Sequence, residues 1–390
     1  MQSAERDASR ALVTVAFAVF LASSTWFTGT AAAPALRDAL QLNDAQISAL
    51  TTAVQMGFIS GTLIYALFNV ADILNPRHVF CASALLGAVA NALFARHADS
   101  LGAVLTLRFL TGLTLAGVYP VGMKIIATWF ADGLGWRLGV LVGALTLGTA
   151  SPYLLRSLDA LDWRMPCTLA SGAAVVGGLL MLTLRDGPHL RTRAPFDPTA
   201  LARVFEHAPF RHTAFAYFGH MWELYALWAL AGAYLSASLA DEPAWRERVP
   251  LICFALVAAG ALGCAGGGWL SRTYGERRVA MVALAVSCTA CLVSGPMAAA
   301  TPPLLVAFLL IWGVAVVADS PQFSALAARH APPEYTATAL TVQNGLGFAV
   351  TVVSLQLLPV LAEQVGWKHV LAVLAIGPLL GLLSLRRVPS

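Results

Sequence analysis

The chemistry of this chain rests on a few ionisable side chains set inside long apolar runs. Arg108 and Lys124 share one run, His220 and Glu223 a second, and Asp319 stands in a third. A charge at bilayer depth costs about 2.5–3.5 kcal/mol or more, so such groups face protein or water and mark ion pairs, solute pathways or proton relays. His220 and Glu223 are three residues apart, which puts an imidazole and a carboxyl on one helix face. Two readings fit Glu223, in "YFGHMWELYALW" (217–228): a proton carrier, or a fixed partner of Lys124 or Arg108 that locks helices. His220 either relays protons or hydrogen-bonds along its helix face.

Lys124 follows the proline-bearing "GVYP" (117–120), where freed carbonyls need partners. Its ammonium suits an anion in a cavity, or snorkels toward the nearer membrane surface. Asp319 opens "DSPQF" (319–323) and either pairs with Lys124 or caps the segment after Pro321. Gln322, Gln343 and Asn344 add uncharged donors, and Tyr119, Trp26, Trp222 and Tyr225 add aromatic walls, to the candidate substrate-binding set. The proton-coupling set is Glu223, His220 and Asp319.

Composition supplies the setting for these residues. Of 390 residues 58% are hydrophobic and 11% charged, with a mean hydropathy of +0.73. A soluble domain carries about 25% charged residues, so the chain belongs in a bilayer, and disorder is excluded. The net charge of +4 comes from 24 Lys and Arg against 20 Asp and Glu, without the basic clusters of a nucleic-acid binder. The six cysteines lie in apolar stretches and read as small packing residues, the Cys288–Cys291 pair included.

A membrane helix needs about 20 apolar residues. Twelve runs qualify: 11–33, 46–70, 78–97, 101–128, 138–158, 165–184, 212–238, 249–271, 279–300, 303–328, 336–361 and 369–385. The first is too long for a secretory leader, and removing it would leave an odd number of spans. Fifteen basic residues fall on the side shared by both ends of the chain and seven on the other, which puts both termini in the cytoplasm. Alanine- and arginine-rich usage points to a bacterial inner membrane. The expected fold is all-α: six helices in 1–184, a cytoplasmic central loop at 185–211 with a surface helix near 199–207, and six more in 212–390.

Two six-span halves invite comparison. An offset near 200 residues aligns "FNVADILNPRHVF" (68–80) with "GWLSRTYGERRVA" (268–280), "GVYPVG" (117–122) with "ADSPQF" (318–323), and Trp26 with Trp222. Asp72 then meets Arg272, Asn75 meets Gly275 and Arg77 meets Arg277.

Twelve spans, a central loop and these motifs resemble the major facilitator superfamily over nearly the whole chain. Its loop signature, G-x-L-a-D-r-x-G-r-k, is kept as Asp72 and Arg77 in the first copy, with Phe68 and Asn75 in place of glycines. The second copy keeps Gly268, Leu270, Gly275 and Arg277. The span-four signature appears as Arg108, Gly112 and Ala116. The resemblance implies that spans one, four, seven and ten line a central cavity, that Arg108 binds backbone and tunes proton coupling, and that the protein works as a monomer. It makes Asp72, Arg77, Arg272 and Arg277 a cytoplasmic latch between helix ends.

Span five, "GVLVGALTLGTASPY" (139–153), lacks the proline that follows the glycines in drug:proton antiporters, which counts against multidrug efflux. "YPVGMKIIATWF" and "GALTLGTASPYLL" look closer to the nitrate/nitrite and cyanate branch. The glycine-rich nitrate signature is missing, so nitrate itself is not expected.

No G-x-x-x-x-G-K-[ST] occurs, which leaves an ion gradient rather than ATP as the energy source. No H-E-x-x-H, G-x-S-x-G or dense His/Asp cluster suggests an enzyme, and nothing points to a cofactor or a resident metal. Lys124 beside a titratable Glu223 favours proton-coupled transport of a small anion, a short carboxylate or an inorganic oxyanion. Export of an amphipathic organic compound is the alternative, and copper transport through His220, Met221 and the cysteines a more distant one. The expected partners are the solute, protons and lipid.

Overall fold

The computed structural model describes residues 2–68, 70–130, 134–157, 162–189, 200–332 and 335–389. Helices and turns account for them, with no strand among the described residues. Ten helices are long and apolar enough to cross a membrane. The first and seventh spans, Gln2–Ser23 and Ala208–Ser238, bring the membrane helices to the twelve expected. Their hydropathy is lowered by Arg6 and Arg10 in the first and by Arg211, His212, His220, Glu223 and several Trp and Tyr in the seventh. The central surface helix is Ala200–Glu206.

The chain divides into two compact units, Met1–Phe196 and Asp197–Ser390. In the first, Asp44–Leu67 (span two) packs on span four, Pro76–Arg96 (span three) on Arg164–Met181 (span six), and span one on span six and on Leu134–Arg156 (span five). The second unit repeats this pattern. Val249–Tyr274 (span eight) packs on span ten, Glu276–Met297 (span nine) on the twelfth span, and span seven on the twelfth span and on Thr336–Val365 (span eleven). Span twelve runs through Trp367–Val370, a tighter turn at Leu371–Ala375, and Ile376–Leu385. Leu262, Val282 and Ile311 stay exposed on these helices, which suits a hydrocarbon solvent and would be unfavourable in water.

One expectation is corrected. The run 11–33 is not a single helix, because residues 24–27 form turns before Thr28–Ala31 resumes. Ser24 and Thr25 hydroxyls bond to the Leu21 and Ala22 carbonyls at 2.6 and 3.0 Å. Such local bonds compete with the helix ladder and weaken it here.

Spans four and ten break at matching places. Leu101–Leu115 gives way to turns before Tyr119–Trp129, and Pro302–Ala318 is followed by Asp319 and then Ser320–His330. Pro120 and Pro321 each sit in the first turn of the new segment, where a missing N–H is harmless. Glycine sets the packing distance of both broken spans. A Cβ at Gly112 would lie 2.0 Å from the Val54 carbonyl oxygen, and one at Gly313 2.1 Å from that of Leu256. Small residues at such contacts let membrane helices approach backbone to backbone.

Candidate functional site

In the first unit the break in span one is held by Arg108 from span four. Its Nη2 donates to the Thr25 carbonyl at 3.1 Å and to that of Trp26, and its Nη1 to Thr28 Oγ1 at 2.8 Å and Asn91 Oδ1 at 3.0 Å. The planar guanidinium reaches these four acceptors at once, more than the three donors of an ammonium could meet. Gly29 leaves room for it, since a Cβ there would lie 2.9 Å from Arg108 Nε. Asn91 in turn donates to the Cys167 carbonyl at 2.8 Å and Ser171 Oγ at 3.0 Å on span six. Spans one, three, four and six are thus joined by one buried polar knot. Trp26 contributes its carbonyl to this knot, and its ring packs 5.0 Å from that of Phe58.

In the second unit span seven brings two groups inward. His220 Nδ1 lies 2.9 Å from Asp319 Oδ1, with both side chains almost wholly buried. The other ring nitrogen contacts Ser320 Oγ at 3.0 Å, and the rings of Tyr217 and Phe323 flank the imidazole at 5.8 and 5.6 Å. Asp319 therefore pairs across to span seven from the junction between the two halves of span ten.

Glu223 lies one turn further along span seven, buried as fully as His220. Its Oε1 accepts from Ser287 Oγ, from Cys291 Sγ at 3.3 Å and from Trp312 Nε1. These donors come from spans nine and ten, so the carboxyl is turned into its own unit. Sequence reading missed Ser287, Cys291 and Trp312. By composition Cys291 reads as a packing residue, and the i, i+4 spacing of Ser287 and Cys291, which points both at one neighbour, is the signal in the sequence. Asn91, Thr28, Tyr217 and Ser320 were missed for the same reason: uncharged polar residues are common in membrane helices.

The other candidates are divided between the two units. Lys124 and Tyr119 are half-buried in Tyr119–Trp129. Asn344 accepts from Tyr217 Oη at 3.1 Å, Gln322 Nε2 donates weakly to the Ala318 carbonyl at 3.3 Å, and Gln343 is buried. Tyr225 packs between Trp228 and Phe348, with ring centroids 5.5 and 5.2 Å away. Trp222 lies against Gly377 of span twelve.

The loop motifs grip the ends of their own units. Arg77 donates to Asp186 Oδ1 at 2.8 Å and to the Leu184 carbonyl. Arg277 donates to the Leu385 and Arg386 carbonyls, each at 3.1 Å. Asn75 caps span three by accepting from Arg77 N at 3.0 Å. Its counterpart Gly275 opens span nine at φ 81°, a conformation that favours glycine. Arg272 is exposed, and the side chain of Asp72 lies outside the described residues. Asp186 carries a lowered pKa: partial burial pushes it up, but hydrogen bonds from Asn75 and Arg77 outweigh this and hold it below the usual carboxylate range. Among the described residues no three His, Cys, Asp or Glu side chains gather as a metal site would.

Residues 15–354 match the Major Facilitator Superfamily. The chain belongs to that family. It is thus a multi-pass membrane transporter rather than an enzyme. Comparison with curated proteins finds no match. Many solved structures share the fold of this superfamily member, and three of them illustrate it. One is a variant of the nucleoside transporter NupG, with TM-score 0.74 and 16% identity over 98% of this chain and 100% of that one. The second is an inward-facing, unoccupied bacterial homolog of the human lysosomal transporter Spinster, with TM-score 0.73 and 15% identity over 97% of each chain. The third is the human organic anion transporter MFSD10, with TM-score 0.70 and 17% identity over 96% and 99%.

Proposed function

We propose that this protein is a proton-coupled carrier of small anions, a short carboxylate or an inorganic oxyanion, working by alternating access in the bacterial inner membrane with both termini cytoplasmic. The observation that carries the coupling is the buried His220–Asp319 pair, 2.9 Å apart. One proton gained or lost there changes the net charge of a site with little solvent to screen it, and Asp319 stands at the break of span ten. A charge change at a helix break can bias two arrangements of the halves that flank it. We assign proton binding to this pair. Glu223, held by three donors, has the positioning role of fixing span seven against spans nine and ten.

The anion assignment rests on Lys124, which lies in the second half of span four, as Gln322 does in that of span ten. Lys124 is the basic side chain of that half-span, and it is the one we give to the solute. Tyr119, in the same half-span, is the neutral group that would orient it there. One structural neighbour is named an organic anion transporter, which is compatible at the level of fold. Export of an amphipathic organic compound is the second reading, favoured by the cluster of Tyr225, Trp228 and Phe348.

Proteoliposomes under an inward proton gradient, offered a panel of small anions, organic cations and neutral solutes, test both parts. The expected result is gradient-driven uptake of one anion class, lost in Asp319→Asn while solute exchange persists. Undiminished driven uptake in Asp319→Asn would overturn the coupling assignment. Signals for cations or neutral compounds alone would overturn the anion.

A further inference from the structure

We propose that the second unit holds an anionic glycerophospholipid in a groove between spans seven, eleven and twelve. The groove encloses about 780 Å³. Its floor is a stripe of span seven formed by Phe215, Phe218 and Trp222, spaced three and four residues apart, with His220 off that stripe. Ile376, Leu380 and Leu383 form one wall, and each is about half exposed. Exposed apolar side chains along a membrane-spanning groove leave it open to lipid rather than to water.

Charge and length both select the occupant. Arg211, His212 and Arg387 gather at one end, with Ser384 Oγ donating to the His212 carbonyl at 2.9 Å to tie the helices there. Beyond them the lining is apolar apart from the Trp222 ring nitrogen. From Arg211 to Trp222 eleven steps of helix advance about 16 Å at 1.5 Å per residue, and the helix Ile376–Leu385 with the turn that carries Arg387 runs alongside. One leaflet of hydrocarbon is about 15 Å thick, half of a 30 Å core. A phosphate at the arginines therefore lets an acyl chain run the groove to the bilayer centre. A cationic amphiphile would set its charge against two guanidinium groups. A zwitterionic lipid would bring its own cation to the same place. The arginines also belong to the membrane face we assign to the cytoplasm, where basic pockets between spans meet anionic headgroups.

Native mass spectrometry of the detergent-purified protein, titrated with dioleoyl phosphatidylglycerol or dioleoyl phosphatidylcholine, reads the site directly. The wild type should hold one phosphatidylglycerol in preference to phosphatidylcholine. Arg211→Gln with Arg387→Gln should weaken that preference about 30-fold, from about 1 kcal/mol per basic residue near the surface. Leu380→Trp keeps both arginines but sets a bulky ring across the path of the acyl chain, and it should abolish the single tight site. Leu380 faces lipid, so this variant is expected to stay folded and monodisperse. Equal retention of both lipids by wild type, a preference kept by the double variant, or a tight site kept by Leu380→Trp would each overturn the proposal. None of these readouts depends on transport, so they stand apart from the test of the coupling pair.

Discussion

Cys291 holds in the second unit the place that Asn91 holds in the first, 200 positions earlier (291 − 91), and each touches a fully buried charged side chain. Asn91 accepts from Arg108, whereas Cys291 donates to Glu223. The neighbours follow the same offset loosely, with Thr28 near the place of Glu223 and Arg108 near that of Trp312. Both knots tie spans at matching positions in the repeat, one, three and four in the first unit and seven, nine and ten in the second, and Asn91 extends the first knot to span six. A base stands in one knot and an acid in the other, and the partners are reversed with them. The guanidinium is met by carbonyl, amide and hydroxyl oxygens, and the carboxyl by O–H, S–H and N–H donors. A duplicated scaffold can keep its geometry while one half buries a base and the other an acid, provided every partner changes role.

Arg108→Lys should therefore fail to replace arginine. An ammonium has three donors and cannot span the Thr25 and Trp26 carbonyls together with Thr28 and Asn91. Leaving those buried acceptors unmet is expected to cost roughly 3 kcal/mol or more. Thermal unfolding in detergent should show a clearly lower midpoint for Arg108→Lys. A midpoint equal to wild type would mean that the break in span one holds without the guanidinium.

At Glu223 the same reasoning separates two variants. Glu223→Gln keeps an oxygen in place of Oε1 and should lower stability only slightly. Glu223→Ala strands the Ser287, Cys291 and Trp312 donors, at about 1–3 kcal/mol for each buried group left unmet. Glu223→Gln is also expected to retain proton-driven uptake, since coupling is assigned to His220 and Asp319. Loss of driven uptake in a stable Glu223→Gln protein would move the proton to Glu223.

The glycines of the broken spans make a sharper prediction. Gly112→Ala would drive a methyl group to 2.0 Å from a backbone oxygen of span two, and backbone cannot rotate away as a side chain can. Overpacking of this kind costs about 1–3 kcal/mol, occasionally more. Gly112→Ala and Gly313→Ala should each reduce the monodisperse fraction on size exclusion, with Gly102→Ala, which meets nothing nearby, as the neutral control. Equal profiles for all three would show that the spans can separate without loss.

Much of this architecture was legible in the residues. The offset that set Pro120 against Pro321 also located the two broken spans, and the one that set Arg77 against Arg277 located the two helix-end grips. Proline and arginine announce themselves because few positions in a membrane helix tolerate them. The orientation of Glu223 was not legible. Helical spacing places its side chain on a face, but which neighbour that face meets depends on packing between distant spans. The break at residues 24–27 was hidden because serine and threonine are ordinary inside apolar runs. Only their hydrogen bonds to preceding carbonyls distinguish a turn from a helix there.

Asp186 supplies a pH signature for the grip at the end of span six. Its folded pKa lies below the ordinary value near 3.8, so the unfolded chain takes up a proton first as the pH falls. The contribution is then fully present above the unfolded pKa, and it fades as the pH drops through the lower, folded one. The carboxylate is substantially exposed, and solvent screening keeps the effect small. Asp186→Asn should consequently unfold somewhat below wild type at neutral pH, with the gap closing as the pH falls from about 5 toward 3. Arg77→Gln removes the same charge pairing from the other side and should show the same convergence. It should also keep a residual deficit at low pH, because the Leu184 carbonyl loses its donor at any pH. A gap that stays constant with pH in Asp186→Asn would show that the grip rests on hydrogen-bond geometry alone, with no contribution from ionisation of Asp186.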